Sequence, residues 1–143
     1  MKYICLIRVR GIVGVTAPRE ETLSRLRLRR KYACVVLTNP KDSLLGMLTK
    51  VEHDVAYGEI SKEMFEKLVE KRGQVLDKAK KKHSPKEIVE ALEKGKRYEE
   101  LKMKGFFRLH SPRGGVKSTK LIYPAGILGN NKDYMTKLVE KML

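Results

Sequence analysis

The chain has 143 residues, 41% of them apolar, enough for one domain with a buried core and too apolar to be disordered throughout. Its 32 Lys and Arg against 17 Asp and Glu leave a net charge of +15, a self-repulsion that an anionic partner would offset. No apolar run nears the length of about 18 residues that a membrane helix needs, and the first one is shorter than a signal-peptide core; the expectation is a soluble, cytoplasmic protein with no membrane partner.

Residues 2–10 (KYICLIRVR) alternate weakly and are rich in β-branched side chains, which predicts a first strand. The glycines of RGIVGV mark a turn. Thr16 then stands at an N-cap position, with Pro18, Glu20 and Glu21 in the first turn of a helix whose apolar face is Leu23 and Leu26. Arg25, Arg27, Arg29, Arg30 and Lys31 crowd its other faces and its C-terminal end, more cations than a helix dipole calls for. Residues 32–38 (YACVVLT) form a short apolar run that predicts a buried strand. Asn39-Pro40 is expected to open a second helix, with Asn39 as cap and Leu44, Leu45, Met47, Leu48 and Val51 on the buried face. Residues 54–60 (DVAYGEI) predict a third strand. The order β-α-β-α-β implies an α+β fold, a small sheet with both helices on one face.

The remainder is mainly helical. Ser61 caps a helix carrying Met64, Phe65, Leu68 and Val69 that stops at Gly73. A lysine-rich passage, KAKKKH (78–83), leads to Ser84-Pro85-Lys86-Glu87, a capping box ahead of Ile88, Val89 and Leu92. Residues 96–104 read as a weakly amphipathic helix. FFRLH (106–110) and LIY (121–123) are expected as extended arms of a hairpin around a glycine-rich loop. A last helix from about Lys132 to Met142 would bury Tyr134, Met135, Leu138 and Val139.

Charge is unevenly spread. Residues 1–35 carry nine basic and two acidic groups, and residues 105–123 carry four basic and none acidic. In the helices of 61–104 the charges largely alternate in sign, as solvated faces do. The unbalanced charge therefore lies in the first helix and the glycine loop. Gly114-Gly115-Val116-Lys117-Ser118-Thr119 fails as a phosphate-loop motif, because Val116 separates glycine from lysine and strand-like residues follow. Lys104-Gly105-Phe106-Phe107 holds only part of an RNA-stacking strand pattern, and both phenylalanines are expected in the core. Cys5 and Cys34 sit in apolar runs and are expected buried and reduced; no CxxC pair occurs, and His53, His83 and His110 are scattered, so no metal or cofactor is expected. No catalytic grouping stands out, which argues against an enzyme. What remains is a grip on phosphates, with Gly114 and Gly115 letting the backbone come close and Arg113 and Lys117 beside them. The rival readings are a nucleotide-binding protein and a free RNA chaperone that use the same loop.

IRVRGIVGV (7–15), SRLRLRRKYACVVL (24–37), the FFRLHSPRGGVKS loop and AGILGNNKDYMTKLVEKM (125–142) occur in an order and spacing that resemble the L-thirty family of large-subunit ribosomal proteins, in its longer archaeal form, similar to the eukaryotic L-seven protein. The resemblance implies a β-α-β-α-β core with a three-stranded antiparallel sheet, related to ferredoxin-like folds, over residues 1–60. It implies a helical extension over 61–143 that holds the RNA-binding loop 106–123. The implied role is structural: binding ribosomal RNA near the 5S RNA, beside neighbouring ribosomal proteins, with no catalysis and no small-molecule substrate. By the same resemblance, Arg8, Arg10, Gly11, Arg25, Arg27, Arg29, Arg30, Arg113, Gly114, Gly115 and Lys117 are the expected RNA contacts.

Overall fold

The structure is a computed structural model and describes residues 2–74, 84–123 and 125–143. The lysine-rich passage 78–83, with His83, lies outside the described residues. Three strands, β1 (Tyr3–Arg8), β2 (Ala33–Thr38) and β3 (Val55–Ile60), alternate with helices α1 (Ala17–Arg25) and α2 (Asp42–Val51). β1 is central and runs antiparallel to both neighbours, with Ile7 opposite Cys34 and Arg8 opposite Val55. After α3 (Lys62–Arg72) and α4 (Pro85–Glu93), two short strands extend the edges. β4 (Phe107–Arg108) joins β2 antiparallel and β5 (Gly129–Asn130) joins β3 parallel, giving the order β4-β2-β1-β3-β5. α5 (Tyr134–Met142) closes the chain. The fold is α+β, as the sequence implies.

Both faces of the sheet are covered, which is why β1 reads as a nearly continuous apolar run rather than a clean alternation. Leu6, Val35 and Val55 face Leu23, Leu26, Leu48 and Val51, the layer of α1 and α2. Cys5, Ile7, Cys34, Val36 and Ala56 face Phe65, Leu68, Val89, Met135, Leu138 and Val139, the layer of α3, α4 and α5. Cys5 and Cys34 are fully buried free thiols with sulfurs 3.2 Å apart, and burial, then the Cys5 hydrogen bond, pushes the Cys34 thiol up well above its ordinary range.

Local signals hold where one segment decides the outcome. The Ser61 hydroxyl accepts from the Met64 N–H, and the Ser84–Glu87 capping box closes in both directions. Several local expectations fail. Asn39 does not cap α2; it takes a positive φ of 45°, its Oδ1 accepts from the Lys2 N–H, and Lys41 stands at the cap position. Leu45 turns outward, leaving only Leu48 and Val51 of α2 fully buried. Residues 96–104 form turns, not a helix, because Tyr98 is drawn inward to the Val36 carbonyl and the edge of Phe107 while Lys102 adopts φ 54°. FFRLH and LIY do not pair with each other. Phe107, wholly buried, brings its segment onto the edge of β2, and Leu121 and Ile122 stay exposed.

Gly58 in β3 lies under α5, where a Cβ would stand 2.8 Å from Met135 Cβ and 3.0 Å from the Lys132 carbonyl. Gly58→Ala should lower stability by about 1–3 kcal/mol through overpacking, read as a shift of the urea midpoint. An unchanged midpoint would mean that α5 does not seat as described.

Candidate nucleic-acid interface

The topology gathers the basic segments at one end of the sheet. β1 ends there at Arg8, β2 and β3 start there, and β4 runs antiparallel to β2, so its chain leaves toward the same end. Loops 9–16 and 26–32 and the segment from 109 onward therefore converge. Backbone bonds fasten them together: the Tyr32 N–H donates to the Arg8 carbonyl at 2.7 Å and the Leu109 N–H to the Tyr32 carbonyl at 3.1 Å.

Arg8 lies beneath this surface, not on it. Its side chain is 0% exposed and every donor is used. Nε donates to the Arg10 carbonyl at 2.9 Å, Nη1 to the Leu28 carbonyl at 2.8 Å and Glu20 Oε1 at 3.1 Å, and Nη2 to Glu20 Oε2 at 2.8 Å and the Gly11 carbonyl at 3.4 Å. A bidentate carboxylate and three carbonyls satisfy the planar fork that only arginine offers. Arg8 thus ties the loop after β1 to the loop after α1. Asp54, also fully buried, does similar work beside it. Its carbonyl accepts from the Val9 and Arg10 N–H groups, and its carboxylate pairs with Arg19 at 3.2 Å and with Arg10 at 4.0 Å. Gly11 is half-buried and serves through its carbonyl, while Ile12 and Val13 stand out at the loop tip.

The arginine run does not continue α1. The helix stops at Arg25, Arg27 takes φ 64°, and the segment alternates: Leu26 and Leu28 buried, Arg25, Arg27, Arg29 and Arg30 outside. Arg25 pairs with Glu21 at 2.7 Å and Arg27 with Glu99 at 2.9 Å. Arg29 and Arg30 have no acidic partner among the described residues. The same is true of Arg108, Arg113, Lys117 and Lys120.

The glycine loop is braced at its base by the end of α5. The His110 and Arg113 N–H groups donate to the Met142 and Lys141 carbonyls at 3.2 and 2.9 Å, and Lys141 Nζ reaches the Gly115 carbonyl at 3.4 Å. The Gly115 N–H closes a turn on the Pro112 carbonyl. Gly114 and Gly115 have φ of 76° and 74° with open space where a Cβ would be, and both are exposed. Arg113 and Lys117 flank them, both exposed.

Sequence reasoning missed Arg19, Glu20 and Asp54 as organisers, and Lys104, Phe106 and Arg108 as surface. Period-two reading of 104–109 around the buried Phe107 would have placed those last three together on one face. At the other end of the sheet, charges pair off. Lys2 meets Glu59, Lys62 meets Glu93, and the Tyr3 hydroxyl donates to Glu93. That bond and Lys62 lower the Glu93 carboxyl, while burial and Glu93 push the Tyr3 hydroxyl up to about 12.

The geometry defines a class: a small α+β module with a group of cations, free of acidic partners among the described residues, where its loops meet at one end of the sheet. Residues 4–55 match the family model described as ribosomal protein L30p/L7e. Over their whole lengths, the chain and a protein of Aeropyrum pernix named large ribosomal subunit protein uL30 are 35% identical. A protein of the same name from Archaeoglobus fulgidus is 38% identical over 96% of this chain and 97% of its own, and one from Nitrosopumilus maritimus is 36% identical over 98% and 97%. The chain belongs to the L30p/L7e family of ribosomal proteins.

Arg8→Met should cost about 3 kcal/mol, the lower part of the range for breaking a buried ion pair, since Glu20 is 32% exposed. Arg25→Met, at a pair exposed on both sides, should stay within about 0.5 kcal/mol of the parent. Urea unfolding of both variants checks the contrast. Equal effects would remove Arg8 from its organising role.

Proposed function

We propose that this protein is a structural constituent of the large ribosomal subunit, holding ribosomal RNA near the 5S RNA with the basic end of its sheet, beside neighbouring ribosomal proteins and without catalysis. The observation that carries the reading is the set of exposed cations without acidic partners among the described residues, Arg29, Arg30, Arg113 and Lys117, at the end where loops 9–16, 26–32 and 109–117 converge. The names of the relatives support it.

In this reading the eleven expected contact residues divide by role. Arg29, Arg30, Arg113 and Lys117 meet phosphates directly, releasing counterions, and the missing side chains of Gly114 and Gly115 let a phosphate approach the loop. Arg10, Arg25 and Arg27 contribute from the rim, each shared with a carboxylate. Arg8 and Gly11 act from within by fixing the loops.

Arg113→Ala should weaken RNA binding by about 1–3 kcal/mol and make its salt dependence shallower by about one unit of slope. Gly115→Val should weaken binding as much without changing charge, since a β-branched residue resists φ of 74°; Gly115→Asn, which tolerates that region, should be milder. Filter binding to large-subunit RNA across a salt series measures all three. Folded Arg113→Ala with unchanged affinity and slope would remove the loop from the interface. Retention on large subunits through a high-salt wash separates a ribosomal component from a free chaperone, and tight binding of a nucleoside triphosphate would favour the nucleotide-binding rival.

A further inference from the structure

A groove of about 550 Å³ lies between residues 27–30 and 99–108. Its cations are Arg27, Arg29, Arg30, Lys104 and Arg108, against one acid, Glu99. Phosphate contacts account for the charge but not for the aromatic ring among it. Phe106 is half-buried, with its inner side against the α1 and α2 layer. Lys104 Nζ and the Arg108 guanidinium lie 5.9 and 5.7 Å from its ring centroid.

The groove is built rather than incidental. Arg27 adopts φ 64°, a conformation that a non-glycine residue holds only when its surroundings fix it. Its guanidinium lies against the backbone of Gly105, where any Cβ would collide with it, and Glu99 holds it at 2.9 Å. The side chain of Arg27 therefore joins the two walls of the groove. Meanwhile β4 pairing fixes the outward side: Phe107 enters the core, so Phe106 and Arg108 must point away from it. The pairing Ala33 to Arg108 brings that face beside Arg29 and Arg30.

A part-exposed aromatic ring with Lys104 and Arg108 over it matches the chemistry of a nucleotide, whose flat base can displace a cation from the ring while its phosphate receives that cation. The volume lies in the range of clefts that take one small ligand. Resting on the RNA-binding reading above, we propose that this groove takes one unpaired nucleotide of the RNA, its base stacked on Phe106 and its phosphate held by Arg29, Arg30 and Arg108. The base must be unpaired, because a base inside a duplex exposes no face for stacking.

The test uses the whole protein and a short RNA hairpin, with and without a single bulged adenosine. The bulged hairpin should bind about tenfold tighter, the size of one base–aromatic stack. With aminopurine in place of the bulged adenine, binding should quench its fluorescence. Phe106→Leu, which keeps apolar bulk but removes the stacking face, should abolish the preference and the quenching, while affinity and salt slope for the plain hairpin stay unchanged. Phe106→Tyr should retain both. Equal binding of the two hairpins by the parent protein, or a preference that survives Phe106→Leu, overturns the groove assignment and leaves the RNA-binding reading standing. Competition by adenosine monophosphate as effective as the bulged hairpin also overturns it, in favour of a free-nucleotide site. Failure of the parent protein to bind either hairpin, or large-subunit RNA, overturns the underlying reading as well.

Discussion

The Arg8 guanidinium is the constraint on which the basic end of this molecule depends. A fully buried charge is tolerable only when its donors are all satisfied, and the partners of Arg8 come from three places: Glu20 in α1, Leu28 after it, and Arg10 and Gly11 after β1. Two loops that bear many cations are thereby held against each other by a cation beneath them. With the Leu28 carbonyl fixed inward, Arg29 and Arg30 are left to face solvent. Asp54 completes the arrangement, since its buried carboxylate draws in Arg19 and Arg10, and its carbonyl closes the turn out of β1.

A second organising fact is the segregation of charge along the strands. At the end near Lys2 and Ile60, cations and carboxylates pair across elements, so that end contributes little field. At the opposite end the acids are consumed in positioning: Asp54 lies inside, the part-exposed Glu20 holds Arg8, and Glu21 and Glu99 are each matched to one arginine. Arg29, Arg30, Arg113 and Lys117, without acidic partners among the described residues, are thus left exposed where the loops meet. Concentrated like charge costs stability in the free protein and is relieved by a polyanion.

The residues after Ile60 supply the second layer of the sheet and both of its edges. Without α3, α4 and α5, the face formed by Cys5, Ile7, Val36 and Ala56 would be open to water. The same residues brace the interface. The end of α5 holds the base of the glycine loop through the carbonyls of Lys141 and Met142, and β4 sets the outward face of Phe106 and Arg108. Core packing and interface geometry are therefore coupled through short stretches of chain.

Some of this was legible in the sequence. The three long strands, helices α1 to α5, the Ser61 and Ser84 caps and the burial of both cysteines all rest on neighbours within a few residues, where propensity, capping and periodicity act; the arginine run was expected on the first helix and lies beyond it. The glycine loop was legible too, since adjacent glycines permit the positive φ that both adopt. What the sequence left undecided, or pointed to wrongly, turned on partners far along the chain. Asn39 was claimed by Lys2, FFRLH by the edge of β2, and Tyr98 by Val36. Most of all, the sequence presents Arg8, Arg27 and Arg29 as equivalent members of basic motifs. Only the tertiary structure separates a buried organiser from a paired rim residue and an unpaired surface cation. A side chain's charge is fixed by its chemistry, but whether that charge faces a carbonyl, a carboxylate or solvent is fixed by which distant segments the sheet brings beside it.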